Sequence, residues 1–163
     1  AMIVVSNTTP LIGLASIQHF DLLWRLFGEI HISKAVYDEA VTSGREAGGA
    51  KREVAKAGWI KTVEIHDRLA VEVLLDEMDL GEAETIVLAR DIRAYWVLMD
   101  EKKGRRKLAQ LGLNKIGTIG ILLKAQQLGL LSLIRPELEK LQTQGFSISQ
   151  AVIDAVLKQA GEK

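Results

Sequence analysis

Carboxylates recur where the surrounding residues imply the ends of regular elements: Glu39, the pair in Gly81-Glu82-Ala83-Glu84, and the adjacent Asp100 and Glu101. Asn7, after Val4-Val5-Ser6, offers an amide oxygen at a comparable place. The chain has no cysteine, and His19, His31 and His66 are scattered, each reading as a surface or half-buried residue. Hard oxygen donors without thiolate or paired imidazole suit Mg²⁺ or Mn²⁺ and not zinc. The lack of cysteine also excludes a disulfide framework and is compatible with a reducing cytoplasm.

Directly after Asp100 comes the densest basic run of the chain, Lys102, Lys103, Arg105, Arg106 and Lys107. Lys plus Arg equals Asp plus Glu at 21 each, so bulk charge attracts neither nucleic acid nor membrane, and a polyanion must be held by a local patch. Arg105 and Arg106 carry most of that weight, because a guanidinium grips phosphate in bidentate fashion. A single lysine here reads first as part of a solvated helix face.

The elements that must position these groups follow from hydrophobic period. Short apolar or β-branched runs at Ile3 to Val5, Glu29 to Ile32, Ile60 to Ile65 and Tyr95 to Met99 predict strands. Thr9-Pro10 opens a helix through Leu11, Leu14, Ala15 and Ile17, and Gly28 closes a second one. Ser33 caps a helix whose apolar positions Val36, Ala40 and Val41 leave Glu39 at the edge of the buried face. Helices are further predicted over 50–57, 68–78, 81–92, 104–111, 118–128, 135–144 and 149–160. Strands alternating with helices imply an α/β sandwich with a mainly parallel sheet of about four to five strands. In such sheets ligands sit at the carboxyl ends of the strands.

Each acidic group also has a purely structural reading. Asp79-Leu80-Gly81-Glu82 fits a capping box, and Glu84 gains from the helix dipole. Glu39 alone reads as a solvated helix-edge residue, and Asp100-Glu101 as a turn with an N-cap. Their joint placement at strand ends and neighbouring helix starts is what favours a metal site. Gly117-Thr118-Ile119-Gly120 lacks the spacing and the Lys of a P-loop and reads as a strand-to-helix turn. Trp24, Trp59 and Trp96 show no stacking-platform pattern and read as packing residues.

The stretches VVSNTTPLIGLA, HISKAVYDEAV, LGEAETIVLA, VLMDEKKGRRKLAQLGL and IGTIGILLKAQQLGLL resemble successive motifs of the PIN-domain nuclease family, most closely a prokaryotic branch of small PIN-like proteins. The resemblance runs from Ile3 to about Gly161. It implies a three-layer α/β/α fold and a single PIN-like domain over residues 1–163, with 134–163 as a C-terminal helical extension packed on it. It also implies a metal-dependent ribonuclease of the kind found as the toxin of toxin and antitoxin pairs, with homodimerisation and an antitoxin partner. Carried over by position, the metal and catalytic set becomes Asn7, Glu39, Glu82 and Asp100, with Glu84 and Glu101 as alternates, and with Lys102, Lys103, Arg105 and Arg106 toward the substrate.

Asn7 is where the pattern breaks, since the family has Asp there and an amide brings no charge to a metal. Three readings stand: a weakened or inactive relative, a deliberate Asp to Asn change, or an amide hydrogen-bonded to the next turn. A nuclease-derived module that binds RNA or a partner protein without cutting is therefore the alternative function, and a phosphohydrolase of a small substrate a third. Ala1 before Met2 reads as a cloning remnant. The short N-terminal apolar run, with no basic leader, predicts neither a signal peptide nor a membrane span, and so a cytoplasmic location.

Overall fold

The computed structural model describes residues 2–42 and 50–163. Five short strands, β1 (Val4–Ser6), β2 (Ile30–Ser33), β3 (Ile60–Val63), β4 (Trp96–Leu98) and β5 (Lys115–Ile116), form one sheet in the order β3-β2-β1-β4-β5, with every pairing parallel. The helices among the described residues are α1 (Thr8–Ser16), α2 (Asp21–Phe27), α3 (Lys34–Tyr37), α4 (Ala50–Lys56), α5 (Arg68–Leu74), α6 (Leu80–Asp91), α7 (Lys102–Gln110), α8 (Thr118–Gln127), α9 (Arg135–Thr143) and α10 (Gln150–Ala160).

Strand side chains alternate between two cores. Val4 and Leu98 join Ile30 and Ile32 in one, with Leu11, Leu14, Leu22, Ile121, Leu138 and Leu157 from α1, α2, α8, α9 and α10. Val5, Val97 and Met99 point to the other, against Val71 of α5, Ile86 of α6 and Leu108 of α7. Buried on both faces, the central strands β1 and β4 need no polar alternation, which is why they read as apolar runs, whereas β3 at the edge carries exposed Lys61 and Thr62. The result is the three-layer α/β/α arrangement expected from the sequence. Ile134, Leu138, Leu141, Val156 and Leu157 are all buried, so the last two helices share the first core.

Local differences from the expected elements have physical causes. Lys115–Ile116 is a fifth strand too short to show a period, held because Val97 and Met99 donate to the carbonyls of Asn114 and Ile116 at 2.9 and 3.0 Å. The first helix begins at Thr8, with Asn7 at the N-cap and Pro10 in the opening turn, where its missing N–H is not needed. The helix after Ser33 changes character partway: Asp38–Thr42 is a π-helical turn carrying Glu39. Such turns recur at functional sites. Trp59 lies between Phe20 and Trp24, at centroid distances of 5.4 and 6.1 Å, in the packing role expected of it. Among the described residues, no helix is long and apolar enough to cross a membrane.

Candidate active site

The carboxyl ends of β1 and β4 lie side by side, with Val5 opposite Val97 and Ser6 opposite Leu98. The next residue of each strand continues the ladder, since Asn7 donates its backbone N–H to the Leu98 carbonyl at 2.9 Å. The register therefore places Asn7 beside Met99 and Asp100. Asn7 makes no side-chain cap to α1, so the reading of it as an amide bonded to the following turn fails. Its Nδ2 reaches only the Met99 Sδ, at 3.5 Å, a weak acceptor. Its Oδ1 is buried without any partner among the described residues, an unusual state for a polar atom in a folded protein.

Glu39 comes to the same region from the π-helical turn and accepts a hydrogen bond from the Thr8 hydroxyl. It is thus not the freely solvated edge residue of the structural reading. Burial pushes its carboxyl above the usual glutamate range; the Thr8 hydrogen bond opposes this, and the nearby charges of Asp79 and Glu84 add to it.

Glu82 completes the capping box read from the sequence. Asp79 Oδ1 accepts from the Glu82 N–H at 2.8 Å, and Glu82 Oε1 accepts from the Asp79 N–H at 3.0 Å. Burial again raises its carboxyl; the Asp79 N–H holds it down, and the charges of Asp79 and Glu101 push it up. The two roles of Glu82 are compatible, because the cap uses one carboxylate oxygen and leaves the other.

Glu84 has a different fate. Its Oε1 accepts from the Ala35 N–H at 3.0 Å and its Oε2 from Arg68 Nη1 at 2.7 Å, tying the start of α3 to α5. Nothing in the sequence pairs Arg68 with Glu84, since the two meet only through the packing of α5 on α6.

Asp100 serves a helix other than its own neighbour. Thr118, fully buried at the start of α8, donates its N–H to Oδ1 at 2.8 Å and its hydroxyl to Oδ2 at 2.7 Å. Glu101 holds the N-cap position of α7 without a side-chain cap and is exposed. Thr118 is the residue that the sequence reading misses; its only signal is a threonine one step after a glycine at a strand-to-helix turn.

The basic run divides. Arg105 turns inward, donating from Nη1 to the Met99 carbonyl at 3.0 Å. A Cβ on Gly117 would stand 2.8 Å from Asp100 Oδ1 and 3.4 Å from Arg105 Nη1, so the two side chains flank one glycine. Lys103, Arg106 and Lys107 line a separate cleft of about 140 Å³ with Gln110, Asp76 and Glu77. Helical period explains the division, because residues 103 and 107 lie about 200° around α7 from residue 105. Lys102 is exposed.

Among the described residues no three Asp, Glu, His or Cys side chains form a metal-holding group. Asn7 stands where a further carboxylate would be, and Glu84 is committed to Arg68. The donor chemistry still suits a hard divalent cation. The orphaned Asn7 Oδ1 can take a donor or a cation, and the carboxyls of Glu39 and Glu82 are raised first of all by burial. By the positions that the family resemblance assigns, Asn7, Glu39, Glu82 and Asp100 would hold it, although among the described residues they do not close into a three-acid metal group.

No curated protein matches the chain in sequence. A family model does: that of DUF3368, described as a PIN domain, aligns with residues 3–162. A match over nearly the whole length, on a five-stranded parallel sheet carrying oxygen donors at the ends of β1 and β4, means that this chain belongs to the PIN-domain family, a nuclease fold.

Proposed function

We propose that this chain is a divalent-metal-dependent nuclease that hydrolyses RNA phosphodiester bonds at the carboxyl ends of β1 and β4. The observation that carries this reading is the buried, partnerless Oδ1 of Asn7, in a site whose Glu39 and Glu82 carboxyls are already raised by burial. The chemistry supplied by bound Mg²⁺ or Mn²⁺ is a more acidic water and compensation of charge on the attacking and leaving oxygens. The chain's own side chains orient and bind. Thr8 and Thr118 fix the carboxylates of Glu39 and Asp100, and Arg105 stands beside Asp100 to meet a phosphate oxygen. Lys102, Lys103 and Arg106 supply backbone phosphate contacts of the kind that position a nucleic acid without reading its bases. A toxin role, with an antitoxin protein as partner and a homodimer as the working form, belongs to the same proposal and rests on the family resemblance.

The test is incubation with single-stranded RNA, with and without Mn²⁺, of the protein and its Asn7→Asp and Asp100→Ala forms. Mn²⁺-stimulated cleavage that rises in Asn7→Asp and disappears in Asp100→Ala is the expected result. If neither the parent nor Asn7→Asp cuts under any metal, the nuclease reading is wrong.

One observation favours a second reading. Asn7 is neutral and no three-acid group forms among the described residues, which fits a module that holds RNA without cutting it. That reading expects metal-independent, salt-sensitive RNA binding, and metal-stimulated cleavage by the unaltered chain excludes it.

A further inference from the structure

Gly81 occupies the first turn of α6, and its backbone is not in the left-handed region. Nothing conformational calls for glycine there. Alanine would favour the helix over glycine. Space gives the reason instead: a Cβ on Gly81 would overlap Glu39 Oε1 and lie 2.8 Å from both Cδ and Oε2. The carboxylate of Glu39 lies against the bare backbone of α6, with the Thr8 hydroxyl also bonded to it.

We propose that Gly81 is a positioning residue, whose missing side chain is the seat that fixes the Glu39 carboxylate in the active site. The atoms a Cβ would meet belong to the far end of a flexible side chain and not to backbone. A methyl group at position 81 is therefore tolerated by the fold, and what gives way is the placement of Glu39. Gly117 repeats the arrangement for Asp100, with Oδ1 2.8 Å from the position of an added Cβ. Two glycines on different elements thus receive two carboxylates of the same site. The inference rests on the nuclease reading for its functional meaning, while the seat itself is a matter of geometry.

The test is a cycle of Gly81→Ala, Glu39→Ala and the double variant, read in three ways. First, the ¹³C signal of the Glu39 carboxyl carbon, in metal-free protein, is expected to move in Gly81→Ala while the melting temperature stays level or rises. Second, Mn²⁺ affinity is expected to fall about tenfold or more in Gly81→Ala, the usual cost of disturbing a group that orients a metal ligand. Third, Gly81→Ala is expected to cost nothing further in Mn²⁺ affinity once Glu39 is alanine, because it acts through Glu39. An unmoved Glu39 signal, a melting temperature that falls with the glycine, or an additive loss of Mn²⁺ affinity would overturn the proposal. If no form, the parent included, binds Mn²⁺, the nuclease reading fails and the Glu39 signal alone decides the seat.

Discussion

Thr118 meets Asp100 with both of its donors, the backbone N–H on one carboxylate oxygen at 2.8 Å and the hydroxyl on the other at 2.7 Å. The pair joins the end of β4 to the start of α8 across 18 residues of sequence. Thr118→Val keeps the shape and the N–H but removes the hydroxyl, leaving Asp100 Oδ2 without its donor. A loss of about 1–3 kcal/mol is expected in urea unfolding, the usual range for a buried hydrogen bond to a carboxylate. Nuclease activity should fall with it, because the carboxylate is then held by one hydrogen bond in place of two.

Asn7→Asp separates stability from metal affinity. It places a carboxylate where an amide oxygen is already buried and unpaired. Without metal the charge is uncompensated, and the melting temperature should fall, by on the order of 3 kcal/mol of stability if the group stays ionised. With Mn²⁺ the order reverses, since ligand binding to the folded state adds stability in proportion to the logarithm of affinity. Thermal melts of both forms across a Mn²⁺ titration check this. An Asn7→Asp variant no more Mn²⁺-sensitive than the parent would count against the metal site.

The raised carboxyls of Glu39 and Glu82 predict a pH dependence of definite sign. Between the ordinary glutamate value and the raised folded one, the native state holds more protons than the unfolded state, so stability falls as pH rises through that window. Above the folded value the penalty is fully present, and below the ordinary value it vanishes. Glu39→Gln removes one of the two titrating groups. In metal-free buffer the variant should therefore gain on the parent as pH is raised from about 4 to about 8, as measured by denaturant midpoints. A gap between the two that stays constant over this range would show that Glu39 is not held out of its ordinary range.

Arg68 is the cation on a buried carboxylate, Glu84. Arg68→Met strands that charge, and a loss of about 1–3 kcal/mol is expected, less than for a fully buried pair because half of Arg68 faces water. Adding Glu84→Gln should return part of the loss, since the neutral amide still accepts from the Ala35 N–H. Strict additivity of the two changes in urea unfolding would contradict the pairing.

The division of the basic run predicts two phenotypes. Lys103→Ala with Arg106→Ala should weaken RNA binding and lower the slope of log affinity against log salt by about 2, one for each phosphate left without its cation. Arg105→Ala should reduce cleavage more than binding, because its guanidinium is bonded to the Met99 carbonyl beside Asp100. Filter binding and cleavage assays on the same preparations distinguish them.

Periodicity in the sequence was enough for the parallel α/β layering, because strands buried on both faces must be apolar throughout, as Val4, Val5, Val97 and Leu98 are. Strand-end logic likewise brought Asn7 and Asp100 to one edge of the sheet, and the capping box at Asp79 and Glu82 was legible from spacing alone. Side-chain partnerships between distant segments were not legible. Arg68 with Glu84, Thr118 with Asp100, and Glu39 against Gly81 are separated by 16, 18 and about 40 residues. Each depends on how helices pack against the sheet, which no local pattern encodes. Composition and spacing thus determined which donors reach the site, whereas tertiary packing decided which of them are already spent. It turned Glu84 to Arg68, divided the basic helix between two faces, and left the Asn7 oxygen buried with no partner among the described residues.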